Sequence, residues 1–419
     1  MKRVFSTLAT AGLSLAVLAA CGGTTDSTAG GEAPAGGTEN VTLSVWAPQE
    51  DQAEGASWLG DMEAAFADAH PEYNITWTNN VVSEGDAAKQ VQTDPAAAAD
   101  VYLFANDQLG TLVDLGAIGQ LGENELAQVK EQNDQTMIDS VTAADGNVYG
   151  VPFTGNTWFM YYNASKFSAE DAKSLDTMLE KGKVSFPLDN GWYFQAFYTD
   201  GAGLDFFGEA SNDASKGITF SKGAEAATAV TSALVDITSN PNFVNDKDGA
   251  GLAGLKDGSV DVLFSGTWDA QNVKDALGDN YGATVPPMFM VNGEQAQMQA
   301  FAGSKAVAYN PNAKNTKAAA QFAAFLGSTD AQKAHYEMRG IVPTDKALAS
   351  EIKADDLAAK AQVDTIAMAS VVQPTIAAMG GWWDPAAAMG AGLLNKEITA
   401  DNAGDQTAAW ADQLAAMKG

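Results

Sequence analysis

A chain of 419 residues, 46% of them hydrophobic, is long enough to build two or three packed domains. Its 23 Lys and Arg against 53 Asp and Glu leave a formal charge of −30, which repels nucleic acid and anionic lipid headgroups and excludes both as partners. The single cysteine excludes an internal disulfide and a multi-thiolate metal site.

Lys2 and Arg3 open the chain, and an apolar run over 13–20 follows that is too short to span a bilayer as a stable helix. Leu18-Ala19-Ala20-Cys21 then places small residues before the cysteine, as the cleft of a processing peptidase requires. The arrangement resembles a bacterial lipoprotein signal. Residues 1–20 are accordingly expected to be removed and Cys21 to carry lipid, leaving no thiol for catalysis. Loss of Lys2 and Arg3 moves the formal charge to −32, from 21 basic against 53 acidic residues. The expected location is the outer face of the cell membrane, attached by lipid alone, because no later run of eighteen apolar residues occurs. Residues 21–39 have no large apolar side chain, cannot offset ordering entropy by burial, and read as a flexible tether.

From Val41 the pattern alternates between strand and helix. Val41 to Trp46 reads as a buried strand, Trp58 to His70 as a helix stopped by Pro71, and Tyr73 to Trp77 as the next strand. Ala99 to Phe104 is a strand ending in a turn at Asn106-Asp107. Asn147 to Pro152 and Phe159 to Tyr162 read as strands about a Gly-Pro bend. Further helices are expected at Ala224–Ile237, Ala318–Leu326 and Ala331–Met338, with a strand at Val260–Phe264. Residues 354–419 carry no strong strand signal and are expected to be mainly helical. The alternation predicts an α/β architecture with mostly parallel sheets.

Enzyme signals are scarce. The two histidines, His70 and His335, have no metal-ligating neighbours at useful spacing and read as surface residues. Gly249-Ala250-Gly251-Leu252-Ala253-Gly254 matches a dinucleotide fingerprint, but turn residues precede it where a strand is needed, so it reads as a helix start. It also fails as a calcium loop, with Val244 and Leu255 at ligand positions. A carboxylate pair of a glycoside hydrolase could lie among so many acids without leaving a motif.

The distinctive feature is aromatic residues in polar, glycine-rich turns. Trp158 follows Gly155-Asn156-Thr157, and Trp192 and Tyr193 follow Asp189-Asn190-Gly191. Trp268 ends Phe264-Ser265-Gly266-Thr267-Trp268, while Trp382 and Trp383 stand in Gly380-Gly381-Trp382-Trp383-Asp384-Pro385. Taken singly, each reads equally well as core. Together they offer flat faces beside hydrogen-bonding groups, the mixture a pyranose needs.

The order of Val41–Trp46, Ala99–Gly110, Tyr149–Asn163, Leu255–Trp268 and Gly380–Pro385 resembles the extracellular solute-binding proteins of sugar importers, most closely the maltose- and maltodextrin-binding proteins. The resemblance runs over nearly all of Val41 to Gly419. It implies a two-lobed periplasmic-binding-protein-like fold, with discontinuous domains, a hinge and a sugar-binding cleft between them. One lobe would take 40–154 and 304–358, the other 155–303 and 359–419, with crossings at Gly150-Val151-Pro152, at Gly303 and near Ala354. Carried over by position, Phe104 is the cleft aromatic and Asp107 a hydroxyl-binding carboxylate. Gln108 stands where the relatives have a guanidinium, Glu50 and Asp51 occupy the loop after the first strand, and Asn156 replaces a carboxylate. Trp158, Trp192, Trp268, Trp382 and Trp383 supply the aromatic platform. The implied function is capture of an oligosaccharide, maltose or a malto-oligosaccharide, by a monomer that delivers it to the transmembrane subunits of an ABC permease, with no catalysis, metal or cofactor. The rival readings are a membrane-anchored glycoside hydrolase, a binder of a different oligosaccharide, and a surface adhesin.

Overall fold

The computed structural model describes residues 38–417 other than 56, 93 and 210, so the signal segment, Cys21 and nearly all of the tether lie outside the described residues. Two mixed sheets organise the described chain. In the first, Glu39–Ala47 sits between Tyr73–Val81 and Val101–Ala105, parallel to both. Val41, Leu43, Val45 and Ala47 are buried at alternate positions, which is the period-two burial of a strand packed on one face. Its ladder with Tyr73–Val81 runs unbroken from Glu39 opposite Tyr73 to Ala47 opposite Val81, so both strands are longer than their apolar cores suggest. The helix Trp58–Ala69 connects them, its N-terminus closed by Ser57, whose hydroxyl accepts from the Gly60 amide.

The second sheet runs in the order Tyr281–Thr284, Phe159–Asn163, Val262–Ser265, Val184–Phe186 and Phe243–Asn245. Its core gathers Trp158, Phe186, Phe197, Trp382 and Trp410, all essentially excluded from water. The first sheet is covered on both faces. Trp58, Phe66 and Phe322 pack on one side, and Tyr102, Leu109 and Leu112 on the other.

One strand belongs to both assemblies. Ala300–Tyr309 begins with Ala300 and Phe301 in the core of the second sheet. It ends in the first sheet, where Val307 enters the core on one face and Ala306 and Ala308 enter that on the other. Along its length it pairs with Ser370–Val372, Val101–Ala105 and Val151–Asn156.

Two expectations are corrected, and a third gains a detail. The sheets are mixed rather than mostly parallel: Ala300–Tyr309 returns to the first sheet antiparallel to its neighbours Val101–Ala105 and Val151–Asn156, and Phe159–Asn163 runs antiparallel to Val262–Ser265. The C-terminal segment is mainly helical, as expected, over Leu357–Met368, Trp383–Leu394 and Ala403–Ala415, but it also contains the strand Ser370–Val372. Three residues are too few to show periodicity. His335 is not a surface residue: it is 2% exposed, lies between Trp58 and Phe153, and its Nε2 is 3.0 Å from Asp51 Oδ1. The glycine-rich stretch near 250 does start a helix, Ala250–Asp257, after Gly249 at φ 79°.

Phe301 is the aromatic anchor at the start of the shared strand and is fully buried. Phe301→Ala is expected to lower unfolding free energy by about 3–5 kcal/mol. Urea denaturation of parent and variant checks this, and a loss below about 1 kcal/mol contradicts the anchoring role.

Candidate functional site

Trp192 and Trp268 meet with ring centroids 6.1 Å apart and an interplanar angle of 37°. Each is held from its own turn. Asn190 caps the helix Gly191–Ala202 by accepting from the Trp192 amide at 2.9 Å, which fixes the direction in which Trp192 leaves the backbone. Trp268 folds back over Gly266, where a Cβ would lie 2.1 Å from the indole ring, so only glycine admits this conformation. Trp268 remains 50% exposed. A tryptophan is seldom left so open when packing alone decides its place. Trp383 is half-buried, edge-on to Phe301 at 6.3 Å, and its carbonyl oxygen lies 3.2 Å from where a Cβ of Gly191 would stand.

A closed circuit of contacts joins this aromatic wall to the shared strand. Trp192 Nε1 donates to Gln373 Oε1 at 2.9 Å, and the Gln373 amide donates to the Ala302 carbonyl. Next along the strand, Gly303 stands opposite Asn156. Beside Asn156, the Gly155 carbonyl accepts from Gln362 Nε2 at 3.0 Å, and Gln362 Oε1 accepts from Thr267 Oγ1 at 2.9 Å. Thr267 precedes Trp268, and the circuit closes. The indoles and Asn156 are thereby fixed relative to one another by backbone and buried amides.

Polar groups are held nearby. Glu50 is exposed, and with Trp268, Tyr281 and Arg339 it lines a cavity of about 520 Å³. Asp107 lies between buried Asn106 and buried Gln108. The residue is exposed, and desolvation of its carboxylate by the flanking protein pushes its pKa up to about 6. The Asn106 amide lies flat over Gly303, where a Cβ would be 2.1 Å from Oδ1. A separate cavity of about 590 Å³ is lined by Gln128, Gln132, Thr329 and Asp345 and has no aromatic wall on which a ring could stack.

Five of the residues expected to touch ligand are engaged inside the fold instead. Asp51 is 2% exposed, and its Oδ1 lies 3.0 Å from His335 Nε2 and 3.8 Å from Arg339 Nε. Phe104 is fully buried beneath Gly150. Gln108 uses its whole amide, accepting from Ala88 N and donating to the Glu84 and Gly85 carbonyls, so it pins a loop in place. Lys305 holds the same loop by pairing with Glu84 at 3.3 Å. Trp158 is buried in a stack on Tyr193 with centroids 5.1 Å apart. Trp382 is buried and donates from Nε1 to the Gly191 carbonyl at 3.0 Å. Burial decides each case: these side chains have packing or hydrogen-bonding partners, whereas Trp268 has an open face. Glu50, Asp107, Asn156, Trp192, Trp268 and Trp383 are left as the candidate set.

Sequence reasoning missed Asn106, Gln362 and Gln373. Asn106 adjoined an expected site residue and could have been included on that ground. The two glutamines lie in segments read only as helical, and no local pattern marks them.

Asp107 gives the site a pH dependence of determinate sign. The folded chain takes up a proton here between about pH 6 and 4 that the unfolded chain accepts only near its ordinary carboxylate pKa of about 4, so acidification relieves a burial penalty in the ligand-free protein. A polyol ligand works the other way. An ionised carboxylate accepts stronger hydroxyl hydrogen bonds, so affinity is full above about pH 6 and falls by roughly 1 kcal/mol once pH drops below it. Calorimetric titration at pH 7.5 and 5 checks this. In Asp107→Asn the dependence is expected to vanish, and its persistence removes Asp107 from the site.

Residues 61–365 match the family described as bacterial extracellular solute-binding protein. The maltooligosaccharide ABC transporter solute-binding lipoprotein of Streptococcus pneumoniae serotype 4 is 28% identical over 403 residues, spanning 90% of this chain and 89% of the relative. A structure solved with acarbose is 46% identical, with a TM-score of 0.82 over 90% of this chain and 99% of that one. The maltodextrin-binding protein MalE1 from L. casei BL23, solved without ligand, is 26% identical with a TM-score of 0.77, covering 89% and 98% of the two chains. With that family matched over most of the chain and the α/β fold shared along its length, the protein belongs to the bacterial extracellular solute-binding proteins and is a binding protein, not an enzyme.

Proposed function

We propose that the chain captures malto-oligosaccharides for an ABC importer, as a lipid-anchored monomer that hands its cargo to the transmembrane permease subunits. The observation that carries this reading is the half-exposed Trp268 against Trp192, tied through Gln373 and Gln362 to the strand shared by both cores. Flat aromatic faces suit the C–H faces of glucosyl rings, and Glu50, Asp107 and Asn156 supply hydroxyl partners at the rim. The two lobes would be 40–154 with 304–358 and 155–303 with 359–419. Closure would bury the sugar between them, with dihedral changes confined to the crossings at Gly150-Val151-Pro152, at Gly303 and near Ala354. The lipoprotein naming of the pneumococcal relative supports lipidation of Cys21.

A second reading has one observation in its favour. The 46% identical structure was solved with acarbose, so a pseudo-oligosaccharide of that kind is an alternative cargo. Competition between acarbose and maltotetraose at one pH ranks the two.

Stacking on Trp268 is common to every related sugar. Trp268→Ala is therefore expected to weaken maltose, maltotriose and maltotetraose together by about 2–4 kcal/mol, the range of a central contact residue. Isothermal titration calorimetry reads the three affinities side by side. If the variant binds the best of them as tightly as the parent, the aromatic site is misplaced.

A further inference from the structure

Two buried amide groups beside the shared strand, one of them bonded to Trp192, are left with hydrogens to donate. Gln373 is 3% exposed and Asn106 is 1% exposed, and neither Gln373 Nε2 nor Asn106 Nδ2 has a hydrogen-bond partner among the described residues. Buried amide nitrogens are nearly always satisfied, because leaving one unpaired sacrifices the hydration it had in water. The orientation of Gln373 follows from chemistry. The indole nitrogen of Trp192 can only donate, so the atom it meets must be the carbonyl oxygen, and the free group must be the NH₂.

The two amides adjoin consecutive residues of the shared strand. Gln373 donates its backbone N–H to the Ala302 carbonyl, and the Asn106 side chain lies on Gly303. Asn156 stands opposite Gly303, and Trp192 is in contact with Trp268. Both donors therefore sit at the strand that underlies the candidate site, one beside the stacking residue and the other beside confined Asp107.

We infer that Gln373 Nε2 and Asn106 Nδ2 donate to oxygen atoms of the bound oligosaccharide and set its register over the aromatic wall. This rests on the malto-oligosaccharide reading above and deepens it. The rim carboxylates Glu50 and Asp107, when ionised, only accept, so they can bind hydroxyl hydrogens but cannot recognise an oxygen that carries none. Ring and glycosidic oxygens are such atoms, and recognising them requires donors. Carboxylates that accept, together with amide nitrogens that donate, read both kinds of sugar oxygen. A site whose buried donors go unmet rejects a ligand more strongly than a site that merely loses a contact.

The test uses the mature, full-length protein with maltotriose as the probe, measured by calorimetry at pH 8. Asn106→Leu removes one donor without adding charge and breaks no recorded hydrogen bond of the folded chain. It is expected to weaken maltotriose binding about tenfold or more, with the ligand-free melting temperature near that of the parent. Gln373→Glu keeps the oxygen that accepts from Trp192 and replaces the donor by a buried carboxylate, so it is expected to show the same loss together with a lower melting temperature. Asn106→Leu binding within about twofold of the parent overturns the inference, as does a loss of affinity in that variant that only follows a fall in its ligand-free melting temperature. Absence of maltotriose binding by the parent protein itself would instead overturn the underlying choice of ligand.

Discussion

The structure depends on one ten-residue strand, Ala300–Tyr309, having to satisfy two hydrophobic cores at once. Its first residues are fixed by the aromatic cluster around Phe186, Trp382 and Trp410, and its last by the packing of the first sheet on both faces. Neither end can shift register without turning its buried side chains to the wrong face. The middle, Ala302–Gly303, is thus held in place by packing that lies on either side of it. That is where the candidate site is built, and the reason is mechanical: a segment anchored at both ends gives side chains a fixed base.

The contacts around this segment divide labour between packing and recognition. Gln362 and Gln373 are buried, and each carries a hydrogen bond between segments distant in sequence, one joining Gly155 to Thr267 and the other receiving Trp192. They position the aromatic wall. Asp51, Gln108 and Lys305 work further out: Asp51 joins the first loop to His335, while Gln108 and Lys305 hold the loop at Glu84–Gly85. Trp268 is left exposed at a hydration cost that a bound ring would remove, and Asp107 is held partly desolvated, which raises its pKa. A preorganised, partly dry surface of this kind spends less on ordering when its ligand arrives.

Much of the fold was legible in the sequence because apolar periodicity is local. The strand at Val41–Trp46 and the helices at 58–70, 224–237 and 318–326 all lie close to where their patterns put them. The strand Ser370–Val372 and the mixed sheet order were not legible, since both follow from which segments return to which sheet. In the candidate site, sequence pointed to the right turns but could not separate the two tryptophans of Trp382-Trp383. One faces the core and donates to Gly191, while its neighbour is only half-buried, and a difference of one residue on a helix end decides it. His335 and Asp51 show the same limit. Alone, His335 reads as a surface residue and Asp51 as a ligand-facing one, and only their meeting across 284 positions explains how both can be buried. Long-range amide bridges such as those of Gln362 and Gln373 leave no sequence pattern at all.

Sugar rings resting on Trp192 and Trp268, above the Ala302–Gly303 segment, are what a crystal structure of the protein grown with maltotriose should reveal. Glucosyl faces are expected against the Trp268 and Trp192 indoles, with a hydroxyl on Asp107 and one end of the sugar toward Glu50. Maltotriose seated away from both indoles, for example in the cavity lined by Gln128 and Asp345, would contradict it.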